Sequence, residues 1–207
     1  MPLKLRNNRF TALVVFIMAL LPTIIAAHEP SAAKQEPSRR VAVNLKAPRF
    51  TLVDQDGNAF VSEERLPGKI VAINFIYTTC SDVCPLFTVE FAGLQRALRS
   101  EPLQNFFLLS ITTDPEIDTP KVLKAYAQRF GADFQNWAFL TGNELPMKEV
   151  WKTFGVRVIR KGRGLVQHTN LTTLMNGQGI RRINFFGPEW RSSDLLKDMR
   201  ALSRTEP

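Results

Sequence analysis

Cys80 and Cys84 are the residues of this 207-residue chain whose types and spacing best suit chemistry. Pro85 follows directly, and proline favours the first turn of a helix, so the pair is predicted to lie where a loop enters a helix. Residues i and i+4 share a helical face, which lets the two sulfurs approach each other. A helix N-terminus can lower a thiol pKa to about 3.5–7.5. The pair is therefore predicted to supply thiolates as nucleophiles or metal ligands, with a structural disulfide as the alternative.

His168 is the third candidate, and it lies in a β-rich stretch where a histidine can be a ligand or simply a hydrogen-bonded strand residue. Two thiolates and one imidazole suit copper, because soft sulfur selects Cu(I) and imidazole also binds Cu(II). The same three ligands with a water suit catalytic zinc. Asp82, between the cysteines, and Asp114, after a buried strand, are candidates to tune such a site. Helix capping and a turn are the alternative roles for these two carboxylates.

The elements that must position these residues are predicted from hydrophobic periodicity. In chain order they are a hairpin at 50–61, a buried strand at 69–77, a helix from Pro85, a strand at 106–112, a helix from Pro120 to Gly131, a strand at 137–140, a helix at 143–154, a hairpin of 164–174 with 180–186, and a helix from Ser192 or Ser193. Alternating strands and helices predict a mainly parallel central sheet flanked by helices. With the N-terminal and late hairpins, the order predicts an α/β, thioredoxin-like fold. That fold brings its first strand–helix junction, here Cys80 and Cys84, close to the strand that carries His168.

The N-terminal segment has a different character from the rest of the chain. Residues 1–27 contain three basic residues and no acid, and residues 10–27 carry no charge. This pattern predicts a secretory signal peptide or an uncleaved membrane anchor, and in either case export of the remaining chain. Residues 28–46 are predicted to form a polar tether, and 47–207 the thioredoxin-like domain.

The basic composition raises the question of nucleic-acid binding. The chain has 27 Lys and Arg against 19 Asp and Glu, a net charge of +8. The basic residues beyond the N-terminal segment are scattered among acids, apart from 157–163 and Arg181–Arg182, and no nucleic-acid-binding motif accompanies them. No nucleic-acid partner is therefore predicted, and attraction to an anionic membrane surface or an acidic partner is favoured.

A resemblance to a known family rests on three parts of the chain. The segment Phe75–Pro85, FIYTTCSDVCP, resembles the copper motif of the Sco/SenC proteins. The segment Thr113–Pro120 and the helix after it resemble that family's next block, and His168 stands at the matching distance for its third copper ligand. Two positions depart from the pattern: Ser81 stands where the family commonly has proline, and Gln167 where many relatives carry an acid.

The resemblance implies a thioredoxin-like copper protein on the periplasmic side of the bacterial inner membrane, anchored or cleaved at its N-terminus. It implies that Cys80, Cys84 and His168 hold Cu(I) or Cu(II), with the cysteines also forming a redox pair. Such proteins help assemble the copper centre of cytochrome c oxidase. The implied partners are the copper-bearing oxidase subunit or another exported copper protein, and other periplasmic copper or thiol carriers.

Two functions are implied by this resemblance and remain open at the level of sequence. One is a non-enzymatic metallochaperone that delivers copper. The other is an enzyme, a thiol-disulfide oxidoreductase that reduces the target's copper-ligand cysteines. They differ in whether His168 is needed.

Overall fold

The computed structural model describes residues 39–101, 103 and 105–205. The predicted signal peptide or anchor and the tether up to residue 38 lie outside the described residues. Within the part that is described, no helix combines the length and the apolar character needed to cross a membrane.

The elements follow the predicted order closely. The strands are β1 (Arg39–Lys46), β2 (Thr51–Val53), β3 (Ala59–Val61), β4 (Ile70–Ile76), β5 (Phe106–Thr112), β6 (Trp137–Leu140), β7 (Val158–Gly162), β8 (Leu165–His168), β9 (Leu171–Met175) and β10 (Ile180–Phe186). The helices are α1 (Ser62–Arg65), α2 (Cys84–Arg99), α3 (Pro120–Arg129), α4 (Glu144–Phe154) and α5 (Ser192–Thr205). The predicted helix start at Pro120 is confirmed, and the hydroxyl of the preceding Thr119 accepts a hydrogen bond from the Val122 N–H. The predicted helix end at residue 154 is also confirmed, since the next residue, Gly155, adopts a left-handed φ of 80°.

A six-stranded sheet in the order β1-β10-β9-β4-β5-β6 forms the centre of the fold. The predicted α/β, thioredoxin-like arrangement with flanking helices is confirmed. The sheet is mixed, however, and not mainly parallel. Strands β4, β5 and β6 run parallel, because helices connect them, whereas β9 and β10 form a hairpin and β1 pairs antiparallel with β10.

Strand β4 leads to the cysteines and is buried along its whole length. Its alternate residues enter two different cores, with Ala72 and Ile76 on the face covered by α2 and α5, and Ile73 and Phe75 on the opposite face. Helix α4 and the β2–β3 hairpin cover that second face. The uninterrupted apolar run at 69–77 is therefore explained by burial on both faces, as expected of a central strand.

Two sequence predictions require correction. The tether predicted over 28–46 is wrong for its last part, because Arg39–Lys46 forms edge strand β1, and Arg40 makes an ion pair of 2.7 Å with Asp198. The strand predicted at 164–174 is divided: Leu165–His168 is β8, which pairs with β7, whereas Leu171–Met175 is β9 of the central sheet. His168 therefore ends a separate two-stranded hairpin and does not belong to the hairpin of β9 and β10.

Candidate metal centre

The cysteines lie on either side of the junction between β4 and α2. Strand β4 ends at Ile76, a loop carries Cys80, and Cys84 is the first residue of α2. Pro85 occupies the first turn of the helix, as predicted. Both cysteines are reduced and buried, with Cys84 fully covered and Cys80 exposed by only 8%. The pair therefore forms no structural disulfide in this structure, and both cysteines follow the carboxyl end of strand β4.

The two cysteines differ in their electrostatic environment. A hydrogen bond from the Cys84 thiol lowers the pKa of Cys80 to about 5, with help from the backbone N–H groups of Cys84 and Asp82 and from the Tyr77 side chain. The same hydrogen bond, together with burial, raises the pKa of Cys84. At neutral pH, Cys80 is therefore a thiolate and Cys84 a thiol that donates a hydrogen bond to it.

This asymmetry predicts an unusual pH dependence of thiol reactivity. In the copper-free, reduced chain, alkylation of Cys80 by iodoacetamide should accelerate as the pH rises through about 5 and level off above it, because the thiolate is the nucleophile. The Cys84→Ala variant should shift this midpoint upward, towards the ordinary thiol value of about 8.5. Peptide mass spectrometry after timed alkylation measures both profiles. A wild-type midpoint near the ordinary value would contradict the assignment.

His168 lies beside Cys84 in the structure, although 84 residues of sequence separate them, and its Nε2 atom is 4.0 Å from Cys84 Sγ. Its Nδ1 atom lies 3.0 Å from the Thr169 carbonyl, and since a carbonyl only accepts, Nδ1 carries the proton. Burial lowers the pKa of His168, so the ring is neutral at pH 7. The Tyr77 ring packs against it edge-on, with centroids 5.8 Å apart. The unprotonated Nε2 therefore faces the Cys84 sulfur and is placed to bind a metal beside the thiols.

The side chains of Cys80, Cys84 and His168 lie near one another but are not yet at the distances of a complete metal site. No three His, Cys, Asp or Glu side chains in the described ranges already surround a common point at ligand distances. A sulfur and a nitrogen on one tetrahedral ion lie about 3.5 Å apart, given metal–ligand distances of about 2.3 and 2.0 Å. The 4.0 Å between Cys84 and His168 is close to this value. The donor set fits a soft metal ion after a small side-chain adjustment.

Asp82 and Asp114, the predicted tuning residues, lie in different environments. Asp82 is exposed, and its side chain makes no hydrogen bond within the described residues; its backbone N–H supports Cys80. Asp114 is fully buried and accepts a hydrogen bond of 2.9 Å from Arg160 of β7. Asp114 therefore binds the hairpin that carries His168 through Arg160, whereas the Asp82 carboxylate makes no described contact in the site.

The two positions that depart from the family pattern both face solvent. Ser81 and Gln167 are exposed, and neither side chain forms a hydrogen bond among the residues that the structure describes. Gln167 points away from the cysteines, because the buried Val166 and the ligand candidate His168 flank it on the strand.

Asp118 is a site residue that sequence reasoning missed. Its buried carboxylate accepts hydrogen bonds from the backbone and hydroxyl of Thr78, two residues before Cys80, and from the hydroxyl of Thr112. Burial raises the pKa of Asp118, and its charge contributes to the raised pKa of Cys84. Asp118 lies in the loop between β5 and α3, and the residue types around it carry no local signal that this carboxylate reaches the cysteine loop.

The Asp118→Ala variant should destabilise the fold by about 3 kcal/mol, because several buried donors lose their acceptor at roughly 1–3 kcal/mol each. Asp82→Ala, on the other side of the same loop, is the matched control and should change the free energy of unfolding by less than about 0.5 kcal/mol. Urea denaturation of the reduced proteins measures both. Equal effects of the two substitutions would show that Asp118 does not hold the loop.

The chain shares its sequence pattern with a family of known proteins. The SCO1/SenC family model matches residues 39–204. The SCO1 protein homolog of Bacillus subtilis is 32% identical over 165 residues, covering 78% of this chain and 84% of that protein.

Two solved structures have the same fold. One is the structure of BsSco, a member of the Sco family of cytochrome c oxidase assembly proteins in which a disulfide switch was identified. Its sequence is 29% identical to this chain and its TM-score is 0.68, and the match covers 80% of this chain and 97% of that one. The other is Bradyrhizobium japonicum ScoI with copper bound, 28% identical with a TM-score of 0.64, covering 76% of this chain and 99% of that one. The family match spans both the cysteine loop and the histidine hairpin, and the chain is a member of the SCO1/SenC family.

Proposed function

We propose that this chain is a copper metallochaperone that holds one copper ion by the thiolates of Cys80 and Cys84 and the imidazole of His168. Its target is the copper centre of cytochrome c oxidase. The observation that carries the proposal is the meeting of two reduced sulfurs with a neutral imidazole nitrogen 4.0 Å from one of them. Copper is favoured over zinc because this donor set serves both Cu(I) and Cu(II), and a copper-bound structure exists in a relative.

Cys80 and Cys84 have distinct parts in this function. Cys80 is already a thiolate and is the first ligand to capture Cu(I). Cys84 must lose its proton on binding, so copper uptake releases a proton. His168 completes the set and extends it to Cu(II), which accepts imidazole.

The direct test is copper stoichiometry combined with an absorption spectrum of the purified, fully reduced chain. One copper per chain and a thiolate-to-Cu(II) charge-transfer band are expected. Absence of copper binding after complete reduction would overturn the proposal.

A second function, thiol-disulfide exchange, is favoured by the difference between the two cysteines, because the pKa of Cys80 is lowered and the pKa of Cys84 is raised. The Cys80 thiolate would attack a disulfide of the target, forming a mixed disulfide and releasing one target thiolate. Cys84, after losing its proton, would then attack the Cys80 sulfur of the mixed disulfide and release the second target thiolate. The target gains two electrons and this chain ends as the Cys80–Cys84 disulfide, which an external thiol carrier must reduce. The disulfide switch of BsSco is consistent with such chemistry.

The proposal includes the periplasmic side of the bacterial inner membrane as the place of action. Its support is the basic, then uncharged N-terminal sequence, which is typical of an exported protein. Fractionation of cells that express the tagged full chain, with protease added to spheroplasts, tests this placement. Protection of the domain from the protease would contradict it.

A further inference from the structure

The geometry points to Arg160 as the positioning residue that sets the place of the His168 imidazole. This inference rests on the proposed function, because it concerns how His168 reaches a shared copper ion. Arg160 does not touch the cysteines or the histidine in the described contacts. Its effect passes through the backbone of the β7–β8 hairpin.

Arg160 and His168 lie on the same face of this hairpin. In the antiparallel register, Val158 is opposite His168, and Arg160 is opposite Val166. Opposite residues share a face, and so do residues two apart on one strand. Val166 is 4% exposed and packs in the core cluster that contains both cysteines, so this is the face turned towards the cysteine loop.

The hairpin depends on a few contacts for its position. It forms its own two-stranded sheet, separate from the central one. An isolated two-stranded hairpin is marginally stable in water, so tertiary contacts must fix where it lies. One such contact joins its tip to the cysteine loop, where the Thr79 hydroxyl donates to the Gly164 carbonyl at 2.9 Å.

The second contact is the ion pair made by Arg160. Its Nη1 atom donates to Asp114 Oδ1 at 2.9 Å and to Glu116 Oε2 at 2.7 Å. Asp114 is fully buried, and its other oxygen, Oδ2, has no hydrogen-bond partner in the described structure. A buried carboxylate without its cation is costly, so Asp114 strongly favours the position of β7 that delivers the guanidinium.

These contacts define the position of His168. Thr79 fixes the tip of the hairpin, and Asp114 fixes Arg160, two residue pairs along the hairpin from the pair that contains His168. The 4.0 Å separation of Nε2 from Cys84 Sγ is the outcome of this arrangement. Loss of the Arg160 ion pair should therefore release the imidazole while leaving the cysteine loop in place.

The test compares Arg160→Ala with Arg160→Lys, which keeps the charge, and with Lys161→Ala as the matched control. Lys161 is the next residue on β7, is exposed, and makes no ion pair among the described residues. The first readout is the nitrogen NMR signals of the His168 imidazole in the copper-free full chain. Arg160→Ala should broaden or split the single Nδ1-protonated signal, whereas both other variants should keep it.

The second readout is affinity for Cu(II) and Cu(I), measured by competition with chelators. Arg160→Ala should weaken Cu(II) binding by about tenfold, as expected for a residue behind a ligand, and change the Cu(I) affinity by less than about twofold. An unchanged imidazole signal, or equal losses for both copper states, would overturn the inference. If Arg160→Ala does not fold, Arg160→Gln must give the same pattern. A wild-type chain that binds no copper refutes the proposed function, while the imidazole signals still decide the role of Arg160.

Discussion

Replacing Cys84 with serine is expected to weaken Cu(I) binding by more than about 100-fold, beyond the 10–100-fold typical of residues behind the ligands. A thiolate is a soft donor that selects Cu(I), whereas a serine hydroxyl is a poor ligand for it. Cys84 is fully buried, so water has no direct path to the vacated ligand position. Competition with a Cu(I)-chelating dye, on the fully reduced chain, gives the affinity.

The same substitution should also abolish net disulfide reduction. Cys80 could still form a mixed disulfide with the target, but no second thiol would resolve it. Trapped mixed disulfide on a non-reducing gel is therefore expected with a disulfide-containing target peptide. Cys84→Ser thus impairs both proposed functions and tests whether this cysteine belongs to the site at all.

Ser81→Ala is the matched control for Cys84→Ser. Ser81 lies in the same loop, faces solvent, and has no side-chain hydrogen bond within the described residues. Its substitution should leave both copper affinity and disulfide reduction unchanged. Circular dichroism of each variant verifies the fold. If Cys84→Ser bound Cu(I) within tenfold of the wild type, Cys84 would not be a copper ligand.

Replacing His168 with alanine is expected to separate the two copper states. Cu(II) affinity should fall by more than about 100-fold and the thiolate-to-Cu(II) band should be lost, because the imidazole is the donor that suits Cu(II). Cu(I) should remain bound within about tenfold, since both thiolates are retained. Reduction of a target disulfide should stay within about twofold, because His168 has no part in the thiol exchange.

The His168→Ala variant also distinguishes the metallochaperone from the oxidoreductase in cells. In a strain that lacks the wild-type chain, failure to restore cytochrome c oxidase activity would support copper delivery. Full restoration would make a purely copper-delivering role untenable and favour thiol reduction. Gln167→Ala is the control, because Gln167 neighbours His168 but is exposed on the other face of the strand. It should behave as the wild type in every assay.

Most local structure was predictable because it is encoded by neighbouring residues. Periodicity identified β4, β5 and β6 and the helices between them, and Pro85 marked the first turn of α2. The cysteine pair was recognisable from its spacing and its place at a strand–helix junction. The edge strand β1 was missed because its sequence is rich in charged and polar residues, and only its pairing with β10 identifies it as a strand.

The sequence alone determined which residues could do the chemistry: two cysteines at a helix entrance and one histidine on a later strand. Only the tertiary structure decided the protonation states of these side chains, because the hydrogen bond from Cys84 to Cys80 and the burial of His168 set which group carries a proton. It also brought Asp118 to Thr78 across 40 residues of sequence, and Arg160 to Asp114 across 46. Such contacts depend on where separate elements pack together, and no local pattern of residue types records that.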